Sequence, residues 1–186
     1  GYLITALLLR EGAVTGRINL LLFWKRRARR LLPAIALLIL VTGPIALAIG
    51  GDIQVNLGSQ LTGAGTFSSN WLSIFSGNDY FAQTSPELFT NFWSLAVEEQ
   101  FYLFWPLLLV AAGVILGRRW RQFSLIIFIA IIASLTSGTI MLAFGAPISR
   151  IYYGTDTHVY GLLLGVLLAF SIPWSLYPPR DEHVIY

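Results

Sequence analysis

Apolar residues in this chain come in long runs separated by short polar and basic clusters. A helix needs roughly 20 apolar residues to cross about 30 Å of hydrocarbon. By that measure four runs read as membrane spans, at about 31–50, 92–117, 123–144 and 159–172. Pro33 falls in the first turn of the first run, where a helix tolerates it, and Gly43-Pro44 is expected to kink the interior. The fourth run is short; it either continues through Pro173 toward Tyr177 or sits in a thinned bilayer. Residues from Tyr2 to Arg10 read as the tail of a further membrane helix, so the sequence is expected to be a fragment. Residues 51–91 are left as a connector that is long for a compact membrane domain. Interfacial anchoring and packing on the bundle both account for its aromatics, among them Phe67, Trp71, Phe75, Tyr80 and Phe81. The predicted fold is all-α: a polytopic transmembrane helix bundle with a long extracytoplasmic loop, in one partial integral-membrane domain over residues 1–186.

Composition agrees with a lipid bilayer as solvent. The chain is 56% hydrophobic and 11% charged, with mean hydropathy +0.71, whereas soluble domains carry roughly 25% charged residues. Without cysteine there are no disulfides or thiolate metal sites. His158 and His183 are too few for a multi-histidine site, so no metal is expected. The basic residues cluster at the ends of apolar runs, which argues against nucleic acid as a partner. If the spans alternate, Arg10, Arg17, Lys25 to Arg30, Arg118, Arg119, Arg121 and Arg180 share one side, and Arg150 alone takes the other. The first side is then cytoplasmic.

Candidate chemistry lies in three constellations. The first is Glu98 and Glu99, ionisable groups at the mouth of an apolar run, where charge is costly. On a helix, Ser94, Glu98, Tyr102 and Trp105 make one polar-aromatic stripe, while Glu99 shares its face with Leu95, Leu103 and Pro106. Glu98 is therefore the expected reactive carboxylate; a plainer account is that both acids favour a helix N-terminus. The second is Lys25-Arg26-Arg27-Ala28-Arg29-Arg30, five cations in six residues. It reads either as a stop-transfer cluster on anionic lipid or as an arginine socket for a polyphosphate. The third runs from Arg150 to Gly161, where Tyr152, Tyr153, Asp156 and His158 suit sugar binding or proton relay, or an ordinary interfacial turn. The stripe Gly161, Gly165, Ala169 reads as helix packing.

The run from Phe92 to Tyr102, followed by Trp105-Pro106, closely resembles the signature of the acyltransferase-3 family, integral membrane proteins that O-acylate extracytoplasmic glycans. The resemblance extends to Asn70-Trp71 and Tyr80-Phe81, to Tyr153-Gly154-Thr155-Asp156-Thr157, and to two arginines three apart, matched by Arg26 with Arg29 and by Arg27 with Arg30. Family members often carry Arg where this chain has His158. The resemblance implies acyl-CoA, acetyl-CoA first, as donor at Arg26, Arg27, Arg29 and Arg30, and a glycan acceptor near Asn70, Trp71, Tyr80, Trp93, Tyr102, Tyr152, Tyr153, Asp156 and His158. Glu98 and Glu99 are then the candidates for catalysis in a multi-pass protein of the bacterial cytoplasmic membrane. The family's histidine precedes the segment matching Gly1 to Leu9, so this chain alone is expected to be inactive. A proton-coupled transporter or lipid-handling membrane protein is the alternative to an acyltransferase.

Overall fold

The computed structural model describes residues 1–76, 88–117 and 119–172. Tyr80, Phe81, Arg118, Arg180 and the expected continuation past Pro173 lie outside the described residues. Within them the chain is helical, with no strand. In chain order come α1 (Tyr2–Thr15), α2 (Leu20–Ile49), a 3-10 turn (Gly51–Gln54), α3 (Leu57–Thr66), α4 (Ser69–Phe75), α5 (Phe92–Leu116), α6 (Trp120–Ala143), α7 (Ile148–Tyr153), α8 (Thr155–His158) and α9 (Tyr160–Ser171). Three of these are long and apolar enough to cross a membrane: Leu20–Ile49, Phe92–Leu116 and Arg121–Ala143.

One feature departs from the hydropathy reading. α2 is one continuous helix of 30 residues that begins at Leu20, well before the apolar run, so it is about 45 Å long and exceeds the hydrocarbon thickness. Arg and Lys are good helix formers, and the basic cluster simply continues the helix that the apolar run requires. α9 has 12 residues, which at 1.5 Å per residue gives about 18 Å, too short to span by itself. The connector after α2 is no open loop where it is described: α3 turns back along α2, with Leu61 against Gly43 and Ile39 against Gly65.

The core is a set of stripes at helical spacing. Ile4 and Leu8 of α1, Phe101, Trp105 and Leu109 of α5, Phe123, Ile127 and Ile131 of α6, and Leu163 and Val166 of α9 form one buried cluster. Spacings of four in α1, α5 and α6, and of three in α9, place each set on one helix face. Trp105 stacks on Phe101 at 5.4 Å and on Phe123 at 6.1 Å, and Phe170 closes the stack edge-on against Phe123. Most of α2 and the outer faces of α5 and α6 leave large apolar side chains exposed, as lipid-facing surfaces do.

α9 packs most closely on α6 and α1. Its small-residue stripe splits in two. A Cβ at Gly165 would lie 2.6 Å from the backbone nitrogen of Tyr2, whereas one at Gly161 would meet nothing within 4 Å. Gly165, together with Gly1 against the Leu162 carbonyl, thus lets α1 and α9 touch, with Ala169 buried one turn on. Gly165→Val in the full-length protein should cost about 1–3 kcal/mol by overpacking and lower the melting temperature in detergent. Gly161→Val should change stability by about 0.5 kcal/mol or less.

Candidate active site

The first two turns of α5 are the spine of the candidate site. Successive helical residues point roughly 100° apart, and Glu98, Glu99 and Gln100 use that to face three surroundings. Glu98 is exposed and forms no hydrogen bond or ion pair with the described residues. Glu99 is buried at 9% exposure and meets Arg27 of α2. Gln100 turns toward α4 and the α7–α8 junction. Glu99, not Glu98, therefore occupies the interior. A helical wheel gives the angle between the two carboxylates, but only the position of α2 decides which one is covered.

The Arg27–Glu99 contact is two-pronged. Arg27 Nε donates to Glu99 Oε2 at 2.8 Å and Nη2 donates to Oε1. The guanidinium carbon sits 3.5 Å from the Tyr102 ring centroid, in cation–π geometry. One turn away, Trp24 Nε1 donates to the Tyr102 carbonyl at 3.3 Å. As α2 advances from Trp24 to Arg27, α5 retreats from Tyr102 to Glu99, so the helices pass in opposite directions. Hydropathy puts the basic cluster and the carboxylates at opposite membrane faces; the structure brings Arg27 and Glu99 together. Arg26, Arg29 and Arg30 stay exposed and make no hydrogen bond or ion pair with described residues. Of these four arginines, Arg27 is the one held by a carboxylate among the described residues.

On the other side of α5, three side chains close a hydrogen-bond ring. Asn70 Nδ2 donates to Thr155 Oγ1 at 3.0 Å, Thr155 Oγ1 donates to Gln100 Oε1 at 2.7 Å, and Gln100 Nε2 donates to Asn70 Oδ1 at 3.0 Å. Asn70 also donates to the Tyr153 carbonyl, Gln100 donates to the Phe67 carbonyl, and Trp71 Nε1 donates to Gln100 Oε1. Each amide hydrogen points at an oxygen acceptor, so both amide orientations are fixed by their partners. Phe67 holds a left-handed φ of 53° at the end of α3, costly for a bulky residue, and its carbonyl meets Gln100 there.

This ring secures an aromatic cluster that includes four of the expected site residues. Trp93 lies 5.0 Å from Tyr152, 5.9 Å from Tyr153 and 5.1 Å from His158 between ring centroids. His158 Nδ1 is 3.2 Å from the Gly154 carbonyl and 3.1 Å from the Thr157 hydroxyl; the tautomer with its hydrogen on Nδ1 satisfies both contacts and leaves Nε2 as an acceptor. Asp156 takes both ends of the Arg150 fork at 2.8 and 2.9 Å, and Arg150 lies 5.4 Å over the Trp71 ring. Hydrogen bonding from Arg150 holds the Asp156 carboxyl below its ordinary range, against the opposing effect of burial. A Cβ at Gly154 would fall 2.2 Å from Arg150 Nη1 and 2.7 Å from Asp156 Oδ1, so only glycine leaves room for that pair. Gln100 and Thr155 are the members the sequence reading missed. Gln100 is the one neutral amide in the apolar helix α5, and that is its signal in the sequence.

A family model described as "Acyltransferase domain" (Acyl_transf_3) matches residues 1–176. The chain belongs to the acyltransferase-3 family. Among the relatives of this acyltransferase-3 chain, a Staphylococcus aureus (strain COL) protein provisionally named as an O-acetyltransferase is 40% identical over 173 residues, 93% of this chain. The O-acetyltransferase OatA of Staphylococcus aureus (strain NCTC 8325 / PS 47) is 39% identical over 175 residues, again 93% of this chain. The chain spans 28% of the length of each. No solved structure matches it. Among the described residues of this family member, no group of three or more His, Cys, Asp or Glu side chains is placed to hold a metal.

Proposed function

We propose that this chain forms part of a membrane O-acyltransferase. It moves an acyl group, acetyl in the first instance, from cytoplasmic acyl-CoA to a hydroxyl of a cell-envelope polysaccharide or peptidoglycan, in the cytoplasmic membrane of a bacterium. One observation carries this reading: in a chain of this family, α5 presents a carboxylate, Glu98, without a hydrogen-bond or ion-pair partner among the described residues, beside one that is held by arginine. The names of its relatives favour acetyl as the group and oxygen as the acceptor atom. Trp93, Tyr152 and His158 offer flat faces against which the C–H face of a sugar ring can pack.

The step itself balances simply. The acceptor hydroxyl oxygen attacks the thioester carbonyl, Glu98 takes the hydroxyl proton, the new C–O bond forms as the C–S bond breaks, and the proton leaves with the thiol of CoA. Glu99 cannot share this task while both its oxygens accept from Arg27. With the full-length protein, labelled acetyl-CoA and a glycan acceptor, Glu98→Gln should lower turnover by roughly 10²–10⁴-fold. Its melting temperature should stay unchanged, because Glu98 is exposed and has no hydrogen-bond or ion-pair partner among the described residues. Wild-type turnover in that variant removes Glu98 from the mechanism, and wild-type protein that transfers nothing from acetyl-CoA removes the donor.

A further inference from the structure

We infer that Glu99 is a positioning residue, which with the Tyr102 ring holds Arg27 so that the outer edge of its guanidinium receives a phosphate of the acyl donor. The inference rests on the acyl-CoA reading above and gives the second carboxylate of the motif a task distinct from that of Glu98.

Arg27 carries five N–H donors on a planar fork. Glu99 engages one edge, through Nε and Nη2, and nothing among the described residues takes a hydrogen bond from Nη1. One flat face of the same group lies on Tyr102. An arginine held by an edge and a face has no freedom left to lose when a ligand meets its remaining edge, so the ordering cost of binding is met in advance. The exposures agree: the Arg27 side chain retains 25% of its surface and the Glu99 side chain 9%, which makes Arg27 the more exposed partner. A phosphate presents oxygens at the spacing of that edge, and bidentate pairing is the strong form of the contact.

The same geometry selects a register. Arg30 is three residues beyond Arg27, on the same side of α2, exposed and without a partner among the described residues. Arg27 and Arg30 together can take a diphosphate, with the inner arginine fixed and the outer one adaptable. Arg26 and Arg29 are exposed, with no side chain holding either one. They would attract an anion without orienting it.

The test is acetyl-CoA binding and steady-state kinetics of the full-length protein in detergent. Glu99→Gln should raise KM and Kd for acetyl-CoA by on the order of tenfold, the weight of one charge-assisted hydrogen bond, while kcat at saturation stays within about twofold. Arg27→Lys should do the same, since lysine can keep the ion pair but has no second edge; it carries the test if Glu99→Gln fails to fold. The Arg27→Gln/Arg30→Gln pair should lose more affinity than Arg26→Gln/Arg29→Gln. A fall in kcat with unchanged KM in Glu99→Gln, wild-type affinity in Arg27→Lys, or the reverse order of the pairs each overturns the positioning role and leaves the acyl-CoA reading standing. Wild-type protein that binds no acetyl-CoA overturns both.

Discussion

Gln100→Ala should be among the most destabilising single substitutions in the described chain, at about 3–5 kcal/mol in thermal or denaturant unfolding of the full-length protein in detergent. Truncation strips partners from four groups at once: Asn70 Oδ1, the Phe67 carbonyl, Trp71 Nε1 and the Thr155 hydroxyl. Each buried group left without a partner costs about 1–3 kcal/mol, and relaxation keeps the sum below simple addition. Asn70 is fully buried, so water cannot take over at its oxygen; Phe67, Trp71 and Thr155 are half-buried, which favours the lower end of the range for their groups. Gln100→Glu separates the halves of the ring. A carboxylate still accepts from Trp71 and Thr155, but it cannot donate to Asn70 Oδ1 or to the Phe67 carbonyl, so Gln100→Glu should fall between wild type and Gln100→Ala. Ser69→Ala is the control. The Ser69 hydroxyl is buried beside this network with no hydrogen-bond partner, so its removal should be neutral or slightly stabilising. A Gln100→Ala protein as stable as Ser69→Ala would show that the ring adds nothing to the packing of α4, α5 and the α7–α8 junction.

What the sequence made legible follows the same division between local rule and partner. Helix α5 is bounded where its apolar run is bounded, between Asn91 and Gly117, because hydropathy and helix formation end together there. They separate in α2. Hydropathy starts the span at Leu31, but the helix begins at Leu20, because arginine and lysine leave lipid without leaving the helix. Counting Arg27 among cytoplasmic anchors therefore hid its contact with Glu99, 72 residues away. The two glutamates show the limit of a helical wheel. Spacing assigned Glu98 to the polar stripe, yet which face is covered depends on α2, and no rule internal to α5 contains α2. The aromatic cluster was easier to see, since Tyr152, Tyr153 and His158 are neighbours in sequence and Trp93 stood out at the start of the motif. Thr155 was overlooked because a threonine in a turn is ordinary; it matters only through Asn70 and Gln100. Gly154 is legible only in three dimensions, since its φ of −63° suits any residue and the constraint is the space Arg150 needs to reach Asp156.

Arg27→Met should destabilise the full-length protein by about 3–5 kcal/mol, and the double substitution Arg27→Met/Glu99→Met should recover most of that loss. The single variant leaves a buried carboxylate facing an apolar side chain, and it forfeits a cation–π contact on Tyr102 of about 0.5–2 kcal/mol. The 25% exposure of Arg27 lets some water approach, which favours the lower end of the range. The double variant removes both charges together and replaces them with flexible apolar side chains that can fill the α2–α5 contact, the case in which a buried ion pair is often worth no more than hydrophobic packing. The Trp24 bond to the Tyr102 carbonyl involves neither substituted side chain, so it should persist in the variants and keep the helices in register. Melting temperature in detergent checks the order: wild type and the double variant close together, Arg27→Met well below, and Glu99→Met also low because it leaves the guanidinium without its carboxylate. If the double variant is as unstable as either single one, the pair stabilises the bundle outright. If it is stable yet binds no acetyl-CoA, then the fold tolerates the loss of this ion pair and its retention in the chain is explained by the ligand it receives.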